Sequence, residues 1–129
     1  MEKPKGNESM IVVADTTPLI SLMKMGKLRL VRQLFGEVQI PNAVYEELVS
    51  NPVFRSEAQQ IQDSTFIKCV TVADEKSVSL LRRATGLDLG ESEAIILSDT
   101  CCADLLLMDE SKGRMVARQM GLHLIVGIP

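Results

Sequence analysis

The feature that most limits how this chain can fold is a repeated alternation: short apolar, β-branched runs are separated each time by segments with helical spacing. Met10 to Ala14 is the first run, with the pattern of a strand buried on both faces. Asp15-Thr16-Thr17-Pro18 follows, in which hydroxyls suit a helix cap and Pro18 a first turn, so a helix is expected to about Met25, where Gly26 stops it. Lys27 to Phe35 reads as a second helix, with Leu28, Val31, Leu34 and Phe35 as its core face. Val38 to Ile40 is strand-like, and Pro41 opens a helix through Val49 that Asn51-Pro52 ends. Val53 to Asp63 reads as helix, Phe66 to Val72 as strand, and Asp74 to Ala84 as a helix broken at Thr85-Gly86. Gly90 to Cys102 is a helix apolar on most sides and so buried. Ala103 to Met108 is a strand, Glu110 to Met120 a helix stopped by Gly121, and His123 to Val126 a last strand.

Strands alternating with helices imply α/β architecture: a three-layer α/β/α sandwich around a central, mainly parallel sheet of four or five strands. The 129 residues fit one domain, expected over 10–129 behind a frayed, polar tail at 1–9. That tail has no apolar stretch of the signal-peptide kind, and no run reaches the length of a membrane span. Cys69, Cys101 and Cys102 have no zinc-site spacing and only His123 to join them. They are expected to be reduced, buried thiols of a cytoplasmic protein.

In a parallel sheet, ligands bind beyond the carboxyl ends of the strands. Asp15 directly follows the first strand and Asp109 directly follows Leu105-Leu106-Leu107-Met108. Both should therefore project at one edge, where two carboxylates need a cation or a proton between them. Helix capping is the plainer role, stronger for Asp109 than for Asp15, because Thr16 or Thr17 can cap instead. In the helix from Pro41, Val44 and Leu48 mark the buried face. At about 100° per residue, Glu47 borders that face while Glu46 points to solvent. Gly90-Glu91-Ser92-Glu93 opens the buried helix, where one acid suits the helix dipole and the other borders a pocket. Glu91 and Glu93 lie about 160° apart, so Glu93 is favoured and Glu91 kept. Four acids from four segments make an oxygen-rich site suited to Mg²⁺ or Mn²⁺.

The net charge of −3 and pI of about 5.2 run against nucleic-acid binding by charge alone. A nucleic acid fits only if the acids are concentrated where metal reverses their sign. Lys112, Arg114 and Arg118, on one helix after Asp109, and Arg82 with Arg83, are the cations available to phosphates. Each is otherwise a solvated surface residue. The absence of Trp, with one Tyr and three Phe, argues against reading bases on aromatic platforms.

Four stretches in order carry a resemblance: Val12-Val13-Ala14-Asp15-Thr16-Thr17-Pro18-Leu19-Ile20, Ile40-Pro41-Asn42-Ala43-Val44-Tyr45-Glu46-Glu47-Leu48, Gly90-Glu91-Ser92-Glu93-Ala94-Ile95 and Leu105-Leu106-Leu107-Met108-Asp109-Glu110. The sequence resembles the PIN-domain family, in particular bacterial and archaeal members related to toxin ribonucleases. The resemblance implies hydrolysis of RNA phosphodiesters with Mg²⁺ or Mn²⁺ held by Asp15, Glu47, Glu93 and Asp109. It also implies a hydroxyl at Thr17, or Thr16, and an added acid at Glu110. An RNA substrate, an antitoxin partner and a homodimer are implied in the same way. The sequence departs from the family at Leu107, where many members have Thr or Ser. It also ends at Gly127-Ile128-Pro129, where members run on into a further helix, so that helix is expected to be lacking.

Two rival readings differ in class. A phosphate-accepting receiver-like domain would want an acidic pair after the first strand and a Lys after the last; Thr16-Thr17 follow Asp15, and no Lys follows Leu124. A catalytically inactive PIN-fold module that binds nucleic acid or protein is the nearer alternative.

Overall fold

The protein is described by a computed structural model over residues 10–126. The elements run β1 (Ile11–Ala14), α1 (Thr16–Lys24), α2 (Leu28–Phe35), β2 (Glu37–Pro41), α3 (Asn42–Ser50), a 3₁₀ turn (Pro52–Phe54) and α4 (Arg55–Asp63). They continue with β3 (Ile67–Val70), α5 (Glu75–Thr85), α6 (Leu89–Thr100), β4 (Leu105–Met108), α7 (Ser111–Gln119) and β5 (Leu124–Val126). The alternation thus yields the expected α/β sandwich. The expected tail at 1–9 and the chain end after Val126 lie outside the described residues.

The five strands form one sheet in the order β3-β2-β1-β4-β5, and every neighbouring pair is parallel. Side chains alternate across it with the period of a strand. Val12, Ala14, Val38, Ile40 and Leu107 join a core closed by α1, α2, α3 and α4. Val13, Leu106 and Met108 join a second core closed by α5, α6 and α7. Because both faces are covered, the strands read as near-continuous apolar runs.

β1 lies centrally, and the chain reaches its two neighbours, β2 and β4, by moving outward in opposite directions. Such a reversal opens a crevice at the carboxyl ends of the central strands. Asp15 follows β1 and Asp109 follows β4, so both acids flank that crevice. α3 packs against α6 over the same edge, bringing the two helical layers together there.

Three expectations need correction. The thiols are free but not uniformly buried: Cys69 and Cys102 are exposed and Cys101 is half-buried, because they stand at an outer strand and in the turn after α6. On α2 only Val31 is fully buried, with Leu28 and Phe35 packed at the margin, while Leu34 is 54% exposed. That short surface helix has one row of side chains against the core, too narrow for all four. The helix expected from Val53 begins as a 3₁₀ turn, where Asn51 Oδ1 accepts from the Val53 N–H at 3.0 Å. Among the described residues, no helix is long and apolar enough to cross a membrane.

Candidate active site

Asp15 is 7% exposed at the end of the central strand. Its backbone N–H donates to the Leu107 carbonyl at 3.0 Å, which fixes the residue to β4. It occupies the N-cap position of α1, yet its side chain makes no cap bond to the helix. Burial pushes its carboxyl up from 3.8 to about 7. The Thr16 N–H pulls it back in part, while the charges of Glu91, Asp88 and Glu47 push it further up. A carboxylate held in this way favours a proton or a cation.

Thr16, also buried, donates its Oγ1 to Glu47 Oε1 at 2.9 Å. The bond joins the start of α1 to the middle of α3 and turns Glu47 toward Asp15. Thr17, the other candidate hydroxyl, is exposed. Glu46 is exposed one position before Glu47 and lines the groove between α3 and α6 with it.

The two acids meet a third at the start of α6. A Cβ placed on Gly90 would lie 3.7 Å from Asp15 Oδ1, 3.7 Å from Glu47 Oε1 and 3.7 Å from Asp88 Oδ1. Three carboxylate oxygens therefore ring the space a methyl group would fill. Asp88 was not among the sequence candidates. The signal was present in Asp88-Leu89-Gly90-Glu91, the spacing of a reciprocal cap. Asp88 Oδ1 accepts from the Glu91 N–H at 2.7 Å, and the Asp88 N–H donates to Glu91 Oε1 at 3.1 Å. Burial, then the charges of Asp88 and Glu110, raise the Glu91 carboxyl above its ordinary value against the pull of the Asp88 N–H.

The remaining candidates have other partners. Glu93 Oε1 accepts from the Ala43 N–H at 3.0 Å, so Glu93 serves the open N-terminus of α3 and lines the groove beside Glu47. Asp109 Oδ1 lies 3.9 Å from Arg114 Nη1, and the same nitrogen donates to the Asp109 backbone carbonyl. Glu110 Oε1 caps α7, accepting from Lys112 N at 3.0 Å and Gly113 N at 3.3 Å. The structure thus brings Asp15 and Glu47 together with Asp88 and Glu91. Glu93 stands at one side of them, and Asp109 stands beside Arg114. Lys112 and Arg118 are exposed, and Arg114 is half-buried.

Among the described residues, no group of three or more His, Cys, Asp or Glu side chains is arranged to hold a metal ion. The donor chemistry around Gly90 nevertheless fits a hard divalent cation. All the donors are carboxylate oxygens, they surround one methyl-sized space, and the buried one, Asp15, has other acids beside it and no cation among the described residues. Glu47 and Asp88 are both exposed, and both border the groove between α3 and α6.

A family model described as a PIN domain matches residues 11–128 of the chain. No curated protein matches it.

Proposed function

The chain belongs to the PIN-domain family, whose fold is of the nuclease type, and from that premise we propose that it is a metal-dependent endoribonuclease hydrolysing RNA phosphodiester bonds. The observation that carries the reading is the convergence of Asp15, Glu47 and Asp88 on the space beside Gly90. Asp15, Glu47 and Asp88 would hold Mg²⁺ or Mn²⁺, with Glu91 adjoining. A divalent cation bound there supplies Lewis acidity toward water and toward a phosphoryl oxygen.

The chain's own residues do the positioning. β1 and its bond to Leu107 hold Asp15 rigidly, and burial keeps bulk water from screening its charge. The Thr16 hydroxyl donates to Glu47 Oε1, the oxygen beside Gly90, and so holds it at that space. Gly90 leaves the space open. The groove between α3 and α6, about 470 Å³, gives an RNA strand access from the side of Asn42, Glu46 and Leu89.

The test is cleavage of a labelled single-stranded RNA with Mg²⁺ or Mn²⁺, comparing wild type with Asp15→Asn and Glu47→Gln. Metal-dependent cleavage lost at least about 100-fold in both variants supports the enzyme. Binding of RNA without cleavage by wild type overturns it in favour of a silent PIN-fold module. The pairing of Asp109 with Arg114 favours that second reading, because a cation of the chain itself already faces one of the acids.

A further inference from the structure

The net charge of −3 conceals a cationic track on the layer that carries α5, α6 and α7. On α5, Lys76, Leu80 and Arg83 stand at positions i, i+4 and i+7, and so share one outward face. They line a groove of about 460 Å³ with Ser79, in which Glu75 is the one acid among the lining residues. Ser79 and Arg83 also line a second groove, of about 430 Å³, with Arg82 and Gly86. The two grooves therefore adjoin. Lys112 of α7 reaches the same place from the other side: its Nζ lies 3.5 Å from where a Cβ on Gly86 would stand. Gly86 has φ +78° and closes α5 in the left-handed conformation, so the backbone turns away and leaves room for that ammonium.

Arg82 and Arg83 complement the carboxyl end of α5, a role that would be met by either alone. Two adjacent arginines, a lysine from another helix and a lysine further along α5 exceed that need. Among the described residues, none of the four makes a salt bridge. Leu80, 66% exposed between Lys76 and Arg83, adds an apolar surface to the track. The track ends two residues before Asp88, where the ring of carboxylates begins.

We infer that Lys76, Arg82, Arg83 and Lys112 form the binding track for the phosphates of a single RNA strand, delivering it to the carboxylates around Gly90. Leu80 supports a base. This rests on the nuclease reading for the identity of the polyanion. Phosphate contacts of this kind position the strand without reading its sequence, which suits a surface of cations and one leucine.

The test uses the full chain in EDTA, so that nothing is cleaved, with a short fluorescein-labelled oligouridylate followed by anisotropy. Arg82→Gln with Arg83→Gln, and Lys112→Gln alone, are each expected to weaken binding at least about fivefold. Each lost cation should flatten the dependence of log affinity on log salt by about 0.7. Lys24→Gln with Arg29→Gln, exposed cations of the opposite layer, lowers the charge as much as the Arg82 and Arg83 pair does and should leave binding unchanged. Mn²⁺ affinity should stay at the wild-type value in all of them. Oligouridylate affinity and salt slope unchanged in the Lys76, Arg82, Arg83 and Lys112 quadruple Gln variant would overturn the track. Losses equal to those of the Lys24 and Arg29 control would overturn it also. The two readings fail separately: cation-dependent binding by a wild type that never cleaves keeps the track and removes the nuclease. Cleavage unaffected by the quadruple change does the reverse.

Discussion

The hydroxyl of Thr16 donates to Glu47 Oε1 across 2.9 Å, linking a residue beside the central strand to one on α3, 31 positions away. A bond to a carboxylate of this kind contributes about 1.5–3 kcal/mol, and here it also orients a candidate ligand. Thr16→Val should lower metal-dependent cleavage about tenfold, with Mn²⁺ affinity falling in step. Thr16→Ser should restore both, since it keeps the oxygen. Equal rates for Thr16→Val and wild type would remove the hydroxyl from the site.

Asp15 predicts an unusual dependence of stability on pH. Its carboxyl ionises near 3.8 in the unfolded chain and near 7 in the folded one. Between those values the native state holds a proton that the unfolded state has lost, so stability falls as pH rises through that window. Above about pH 7 the loss is complete, with a ceiling of about 4 kcal/mol. In EDTA, Asp15→Asn should therefore melt higher than wild type at pH 8 and close to it at pH 4. Millimolar Mn²⁺ should raise the wild-type Tm at pH 8 and leave the variant unmoved. Parallel pH profiles for the two proteins would contradict the burial argument.

Gly90→Ala separates folding from site chemistry. The added methyl meets its three neighbours at ordinary contact distance, and alanine favours a helix over glycine by about 0.5–1 kcal/mol. The variant should unfold at the wild-type temperature or above, yet bind Mn²⁺ at least about tenfold more weakly, because the methyl fills the space between the carboxylates. Titration calorimetry showing wild-type affinity would place the metal elsewhere.

Glu93 and Glu47 should differ in their effect on metal affinity. Glu93 accepts from the Ala43 N–H at the first turn of α3, so Glu93→Gln should cost about 0.5–1 kcal/mol of stability while metal affinity falls less than about threefold. Glu47→Gln keeps an amide oxygen for the Thr16 hydroxyl, should cost about as much stability, about 0.5–1 kcal/mol, and should reduce metal affinity strongly. Denaturant melts paired with Mn²⁺ titrations distinguish them, and a stronger metal effect at Glu93 than at Glu47 would reverse the assignment.

The layers and the strand ends were legible because burial on both faces leaves a plain trace: Val12 to Ala14 and Leu105 to Met108 are apolar without interruption. Glu47 was legible because Val44 and Leu48 set the phase of α3. The choice at α6 was less so. Glu91 and Glu93 lie about 160° apart, and on a helix buried nearly all round, its own residues give no phase. Which acid turns to Asp15 and which to Ala43 is decided by the packing of α3 against α6, a contact between segments 50 residues apart. Asp88 escaped notice because a cap residue serves its own helix first, and only Gly90 lets the carboxylates of other segments come up to it. Arg114 likewise reaches Asp109 by folding back over the first turn of α7, which composition does not reveal.

The N–H of Asp15 sits just past the end of the innermost of five strands, hydrogen-bonded to Leu107 with helices closing both faces. Such an amide trades its proton for deuterium only when the whole domain opens, whereas the exposed side chain of Glu47, in the middle of α3, is held by its bond to the Thr16 hydroxyl and is released by smaller fluctuations. The carboxylate that anchors the crevice should therefore persist to the edge of denaturation, while the glutamate facing it comes and goes. Warming the protein would then detach Glu47 well before Asp15 yields.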